Sequence, residues 1–160
     1  MSGRTILVTG ANGGIGFETL KIFANNKDNI IALVREKNKN FENIIETIKK
    51  ENNINIDLFN CDFLDKDQIK TTSNEISKNY KIDCLINNAG KNFISLYQMT
   101  NENNLEEIFQ INFFSHFFFT QSIIKSMIKN KFGSIVNISS SAALDCPVGS
   151  SAYSASKSAM

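Results

Sequence analysis

The sequence predicts an α/β fold, a parallel sheet wound on both faces by helices, and three observations carry that expectation. The hydrophobic period switches repeatedly between two and about 3.6 residues, so short strands and amphipathic helices alternate along the chain. The first apolar segment is β-branched throughout, which marks a buried strand. It runs directly into a glycine-rich turn and a helix, the connection by which doubly wound sheets present a ligand site at their C-terminal strand ends.

The elements follow in order. Arg4–Thr9 is the first strand, and Ile15, Thr19, Leu20 and Phe23 then recur at helical spacing. Asn29–Val34 is the second strand; Phe41, Ile44, Ile45 and Ile48 mark one face of the next helix. Ile54–Phe59 is the third strand, and Asp65 with Gln68 has the spacing of a capping box that opens the helix behind it. Ile82–Asn87 is the fourth strand. One long helix is expected from Glu102 to Asn130, then a fifth strand over Ser134–Ser139 and a last helix that has barely begun at Met160. There is no internal repeat and no linker, so residues 1–160 read as a single domain.

Composition narrows the function classes. With 160 residues, 42% of them apolar, a genuine core is expected, and a net charge of +1 provides no basic field for nucleic acid. A small molecule is the expected partner. Cys61, Cys84 and Cys146 are odd in number, far apart and without a C-x-x-C spacing, so neither a disulfide framework nor a metal site is expected; they read as reduced, mostly buried thiols. The first strand begins too early to leave room for a signal peptide, and no apolar stretch reaches ~18 residues. A cytoplasmic protein with no membrane partner is the expectation.

Chemistry gathers at the strand ends. Glycines at 10, 13, 14 and 16 strip side chains from the first turn, and the helix behind offers free N–H groups and a positive dipole end, which together make a seat for a phosphate. No Gly-Lys-Ser/Thr follows, so this is no Walker A loop. The second strand ends at Arg35, the third at Cys61 and Asp62, the fourth at Asn87-Asn88-Ala89-Gly90 and the fifth at Ser139-Ser140-Ser141. Beyond it, Tyr153 and Lys157 stand four residues apart and share a helix face. An ammonium beside a phenol favours the phenolate and suits general acid–base work on an alcohol or carbonyl.

Taken together, TGANGGIG at 9–16, NNAG at 87–90, Asn112, ISSS at 138–141 and YSASK at 153–157 resemble the short-chain dehydrogenase/reductase family over the whole chain. The first motif also fits that family's extended, nucleotide-sugar branch; NNAG favours the classical type. The resemblance implies a Rossmann-like fold and an NADP-dependent oxidoreductase that interconverts a carbonyl and a secondary alcohol. It implies Tyr153 as the acid/base, Lys157 as the group that favours the phenolate and holds the nicotinamide ribose, Ser140 as the donor to the substrate oxygen, and Asn112 as the anchor of a proton-relay water. Gly10, Gly14 and Gly16 would line the pyrophosphate within a cofactor-facing segment that includes Thr9, Asn12, Gly13 and Ile15. Asp62 would lie near the adenine, and Asn88, Ala89 and Gly90 along the cofactor. Asn87 could instead tie adjacent strands together.

The cofactor turns on the end of the second strand. An Asp or Glu there would hold the ribose 2′-hydroxyl of NAD, whereas Arg35 suits a 2′-phosphate. NADP is favoured over NAD, although Glu36 follows at once and Gly13 stands where many NADP-using relatives carry a basic residue. Acyl-carrier-linked 3-oxoacyl groups are the substrate expected from family frequency alone, because substrate contacts in the family come largely from segments after the position of Lys157. His116, the single histidine, reads as a packed helix residue. Apolar side chains almost encircle the helix between Leu105 and Ile128, from which a homodimer or homotetramer is expected. The early stop of the last helix further suggests a C-terminally incomplete domain, nearly inactive alone. The alternatives are a non-catalytic NADP-binding regulator on the same fold and an extended-type nucleotide-sugar epimerase or dehydratase.

Overall fold

A computed structural model describes residues 3–160. Five strands, β1 (Thr5–Thr9), β2 (Asn29–Val34), β3 (Ile56–Asn60), β4 (Cys84–Asn87) and β5 (Ser134–Asn137), form one sheet in the order β3-β2-β1-β4-β5, and every pairing is parallel. The helices are α1 (Gly14–Asn25), α2 (Lys39–Asn52), α3 (Lys66–Asn79), α4 (Glu102–Phe109), α5 (Ser115–Asn130), α6 (Ala142–Asp145) and α7 (Ser151–Ala159). The doubly wound expectation holds.

Period-two alternation sends β1 side chains into two separate apolar layers. Ile6 and Val8 pack with Leu20, Ala24, Phe41 and Ile45 of α1 and α2, while Leu7 packs with Ile69 and Ile76 of α3 and Phe119 and Ile123 of α5. A fully buried aliphatic side chain of this kind contributes roughly 1.5–3 kcal/mol. Such two-sided burial is why the strand reads as an unbroken apolar run.

Three sequence expectations need correction. The long helix is interrupted: Gln110–Phe114 form a wider π-type turn between α4 and α5. The apolar pattern runs straight through it, so nothing in the periodicity marks it. Its cause is polar, because Asn112 is fully buried and must reach partners outside the helix, and the Ser115 hydroxyl donates to the Gln110 carbonyl (2.6 Å). The capping box at α3 is only half formed. Asp65 accepts from the N–H groups of Asp67 and Gln68 (3.0 Å each), but the Gln68 side chain donates to the Asp65 carboxylate (2.9 Å) and accepts from the Asp62 N–H (3.0 Å). The Asp65 N–H goes instead to the Asp62 carbonyl (3.0 Å). Finally, the thiols are less uniformly buried than expected. Cys61 is buried and Cys84 half-buried, but Cys146 is exposed, since it sits in a left-handed turn (φ 40°) just after α6.

The remaining differences are at element ends: β4 begins at Cys84 and β5 ends at Asn137, while a 3₁₀ turn at Tyr97–Met99 and the single-turn α6 were not foreseen. Among the described residues no helix is long and apolar enough to cross a membrane, and no cluster of His, Cys, Asp or Glu is placed to hold a metal ion.

Candidate active site

The ends of β1 and β4 are tied to each other. Thr9 is wholly buried; its hydroxyl donates to the Ile86 carbonyl (3.3 Å) and accepts from the N–H groups of Asn88 and Ala89 (2.9 Å each). The Asn88 amide donates in return to the carbonyls of Thr9 (2.9 Å) and Gly10 (3.2 Å). Thr9 thus braces the site from behind and does not line it. Gly10 adopts φ +64°, and a Cβ there would stand 2.9 Å from Ala89 Cα. A Cβ on Gly16 would run into the Gly10 carbonyl, so that glycine serves helix–strand packing. Around Gly13 and Gly14 the space is open. No side chain caps α1, which leaves its first N–H groups and positive dipole end for a ligand.

Two adjoining cavities share Gly10, Asn12, Ala89, Gly90 and Lys91 as a common wall. One, of about 440 Å³, is lined further by Gly13, Gly14, Ile15, Asn88, Ser139, Tyr153 and Lys157. The other, of about 370 Å³, lies over the ends of β2 and β3 and includes Val34, Arg35, Asp62, Phe63 and Leu64. Arg35 is exposed and forms no salt bridge among the described residues. The Asp62 carboxylate accepts from the Leu64 N–H (2.9 Å), which shapes the floor beside it.

Lys157 is buried, and its ammonium donates to the Ile138 carbonyl (2.9 Å), which leaves its other donors for the cavity. Burial pushes this ammonium below its ordinary value. Gly90 passes so close that a Cβ there would lie 3.2 Å from Lys157 Nζ. The serines divide. The Ser139 hydroxyl donates to the Lys157 carbonyl (2.6 Å) and its proton is spent there, whereas Ser140 Oγ accepts from the Ala142 N–H (3.2 Å) and keeps its own proton to give. Ser139, not Ser140, stands in the cavity wall beside Tyr153.

Asn112 does not line either cavity. Its amide accepts from the Lys91 N–H (2.8 Å) and donates to the Lys91 carbonyl and to Ser156 (3.0 Å each), so it clamps the strand behind Gly90 to α7. Asn87 is the strand tie that was the second of its two readings: its amide nitrogen donates to Thr120 and Asn137 (2.9 Å each). Sequence reading missed Lys91, which bonds Glu107 at 2.7 Å across the mouth, together with Phe63, Leu64 and Ile111. All adjoin residues that were singled out, and their adjacency was the available signal.

The geometry is thus a phosphate-sized glycine cradle continuous with a phenol and an ammonium. The family model described as short chain dehydrogenase matches residues 4–160. A 3-oxoacyl-[acyl-carrier-protein] reductase of Thermotoga maritima is 32% identical over 98% of this chain and 63% of its own length; one from Buchnera aphidicola subsp. Schizaphis graminum is 35% identical over 98% and 63%. The fold superposes on a bulky-bulky ketone specific alcohol dehydrogenase from Comamonas testosteroni with a TM-score of 0.91, at 23% identity, over 99% of this chain and 63% of that one. The chain therefore spans less than two thirds of the length of these relatives. The match of motif, fold and family model over nearly every residue leaves one assignment: this chain belongs to the short chain dehydrogenase family.

Proposed function

We propose that this chain carries the cofactor site and acid–base pair of an NADP-dependent oxidoreductase acting on a carbonyl or secondary alcohol. The observation that carries the reading is the shared wall of the two cavities, which sets the glycine cradle and Arg35 at one end and Tyr153 and Lys157 at the other. The residues present fit a dinucleotide: open backbone at Gly13 and Gly14 for the pyrophosphate, an unpaired guanidinium at Arg35 for a 2′-phosphate, and Asp62 beside the adenine end. When bound, the nicotinamide supplies or takes the hydride.

The chain's own residues do the rest. Tyr153 gives a proton to the carbonyl oxygen in reduction and removes it from the alcohol in oxidation. Lys157, held by the Ile138 carbonyl, favours the phenolate form and offers its remaining donors to the ribose. Ser140, whose proton is unspent, donates to the substrate oxygen, and Asn112 fixes Gly90–Lys91 and α7 relative to each other while serving the relay. The relatives named for 3-oxoacyl groups make 3-oxoacyl thioesters the first substrates to try. The exposed Phe114, Phe117 and Phe118 of the helical segment before and within α5 suit a homodimer or homotetramer. The test is the loss of NADPH absorbance with a panel of 3-oxoacyl thioesters, ketones and aldehydes. Turnover supports the reading; tight NADPH binding with no turnover on any of them would favour the non-catalytic regulator.

A further inference from the structure

His116 lies on α5, buried to 1% exposure, with its ring edge-on to Phe63 (4.9 Å between centroids). It lines neither cofactor cavity. Its Nε2 is 2.6 Å from the Ala89 carbonyl oxygen, and its Nδ1 is 3.2 Å from Asn87 Oδ1. A carbonyl only accepts, so Nε2 must carry the ring proton. Burial pushes the imidazole down to about 4, and the Lys157 charge opposes protonation as well, although the Ala89 bond pulls the other way; the ring is neutral at working pH with its one proton on Nε2.

That single bond has a geometric consequence. No peptide bond here is cis, so in the Ala89–Gly90 peptide the carbonyl and the N–H point in opposite directions. With the carbonyl drawn back to α5, the Gly90 N–H is turned away from α5. Thr9 fixes the N–H of Ala89 in the same way, so both peptide planes around Ala89 are set from the protein interior. Among the described residues the Gly90 N–H has no acceptor, while Gly90 itself lines both cavities.

Resting on the cofactor site proposed above, we infer that His116 is a positioning residue which, by holding the Ala89 carbonyl, presents the Gly90 N–H as a hydrogen-bond donor to the dinucleotide. It touches neither cofactor nor substrate. The position needs a donor at the reach of Nε2, which glutamine retains and leucine lacks.

NADPH titrated into the purified protein and two variants, followed by its fluorescence, tests the inference, with the Gly90 amide observed by ¹⁵N NMR in the same titrations. His116→Leu should weaken NADPH binding about five- to tenfold, the scale of one hydrogen bond, and should abolish the NADPH-dependent shift of the Gly90 resonance. His116→Gln should restore both to within about twofold of the parent. A parent that binds NADPH together with an unimpaired leucine variant, or a Gly90 resonance indifferent to NADPH, overturns the inference and leaves the proposed function standing. A parent that binds no dinucleotide overturns the proposed function itself. Should the leucine variant fail to fold, the decision passes to the parent: imidazole ¹⁵N shifts showing a proton on Nε2, with the Gly90 shift, support the inference, and a proton on Nδ1 overturns it.

Discussion

β1 and β5 are both short parallel strands of aliphatic residues, and the cofactor cradle follows one while the serine rim follows the other. β1 is flanked by β2 and β4, and Ile6, Leu7 and Val8 are wholly buried. β5 pairs only with β4 among the described residues, and its Ile135 and Val136 are 37% and 42% exposed. The turn after β1 is clamped from β4 through Thr9 and Asn88. The segment after β5 depends instead on α7, through Ser139 to Lys157 and Lys157 to Ile138. Binding geometry is therefore built on the strongest part of the sheet, and acid–base geometry on its edge, where an open row of backbone groups invites further pairing.

The largest expected difference between the two halves is chemical. In an active form of the protein, Tyr153→Phe should lower kcat by about 10²–10⁴-fold, the usual worth of a positioned proton donor, while NADPH affinity stays within a few-fold. Steady-state kinetics with parallel NADPH titration decides it; retention of most of the rate would remove Tyr153 from its role.

A stability contrast breaks or confirms the comparison directly. Leu7→Ala should cost about 2–5 kcal/mol in denaturant unfolding because it opens a cavity between both helices and the sheet. Ile135→Ala should cost under about 1 kcal/mol, since much of that side chain already meets water. Equal losses would show that β5 is as deeply covered as β1.

His116 couples the well-built half to pH. Its folded-state value of about 4 lies below the ordinary 6.5, so the unfolded chain binds the proton more readily. The stability this group contributes is present above pH 6.5 and is lost as pH falls towards 4, by up to about 3 kcal/mol. Unfolding midpoints from pH 7 to 4 should fall more steeply in the parent than in His116→Gln; parallel curves would mean that the imidazole does not carry the effect.

The smallest effect sharpens the cradle end. Arg35→Asp should weaken NADPH by about 1–3 kcal/mol, through loss of a charge-assisted bond and gain of a like charge, and NADH far less. Isothermal titration with both dinucleotides gives the answer, and equal losses would show that Arg35 does not read the 2′-phosphate.

Most of the fold was legible because β1, β2 and α1–α3 obey local rules: apolar runs where both faces are covered, and side-chain caps such as Asn38, which accepts from the Phe41 N–H at the start of α2. The glycine turn and the Tyr153–Lys157 pair were legible for the same reason, since each is a short segment whose chemistry follows from its own spacing. What escaped was long-range. Nothing near Asn112 announces partners at Lys91 and Ser156, and nothing near His116 announces the Ala89 carbonyl, because those bonds join segments far apart in the chain. Thr9 was assigned to the cofactor as a member of a motif, and only the third dimension shows its hydroxyl turned inward.

The wider turn at Gln110–Phe114 can be counted as one surplus residue in an otherwise regular helix. Each residue advances a helix by about 100°, so that surplus sets the rotational phase of everything downstream. Phe119 and Ile123 point inward, and Phe117 and Phe118 outward, only because the count before them is as it is. Removing a single residue from the turn would tidy the backbone ladder and yet rotate the whole of α5 by more than a quarter turn, swapping its core for its outer face. Insertions and deletions within this segment should therefore be far less tolerated than substitutions, even though the segment is the least regular in the helix.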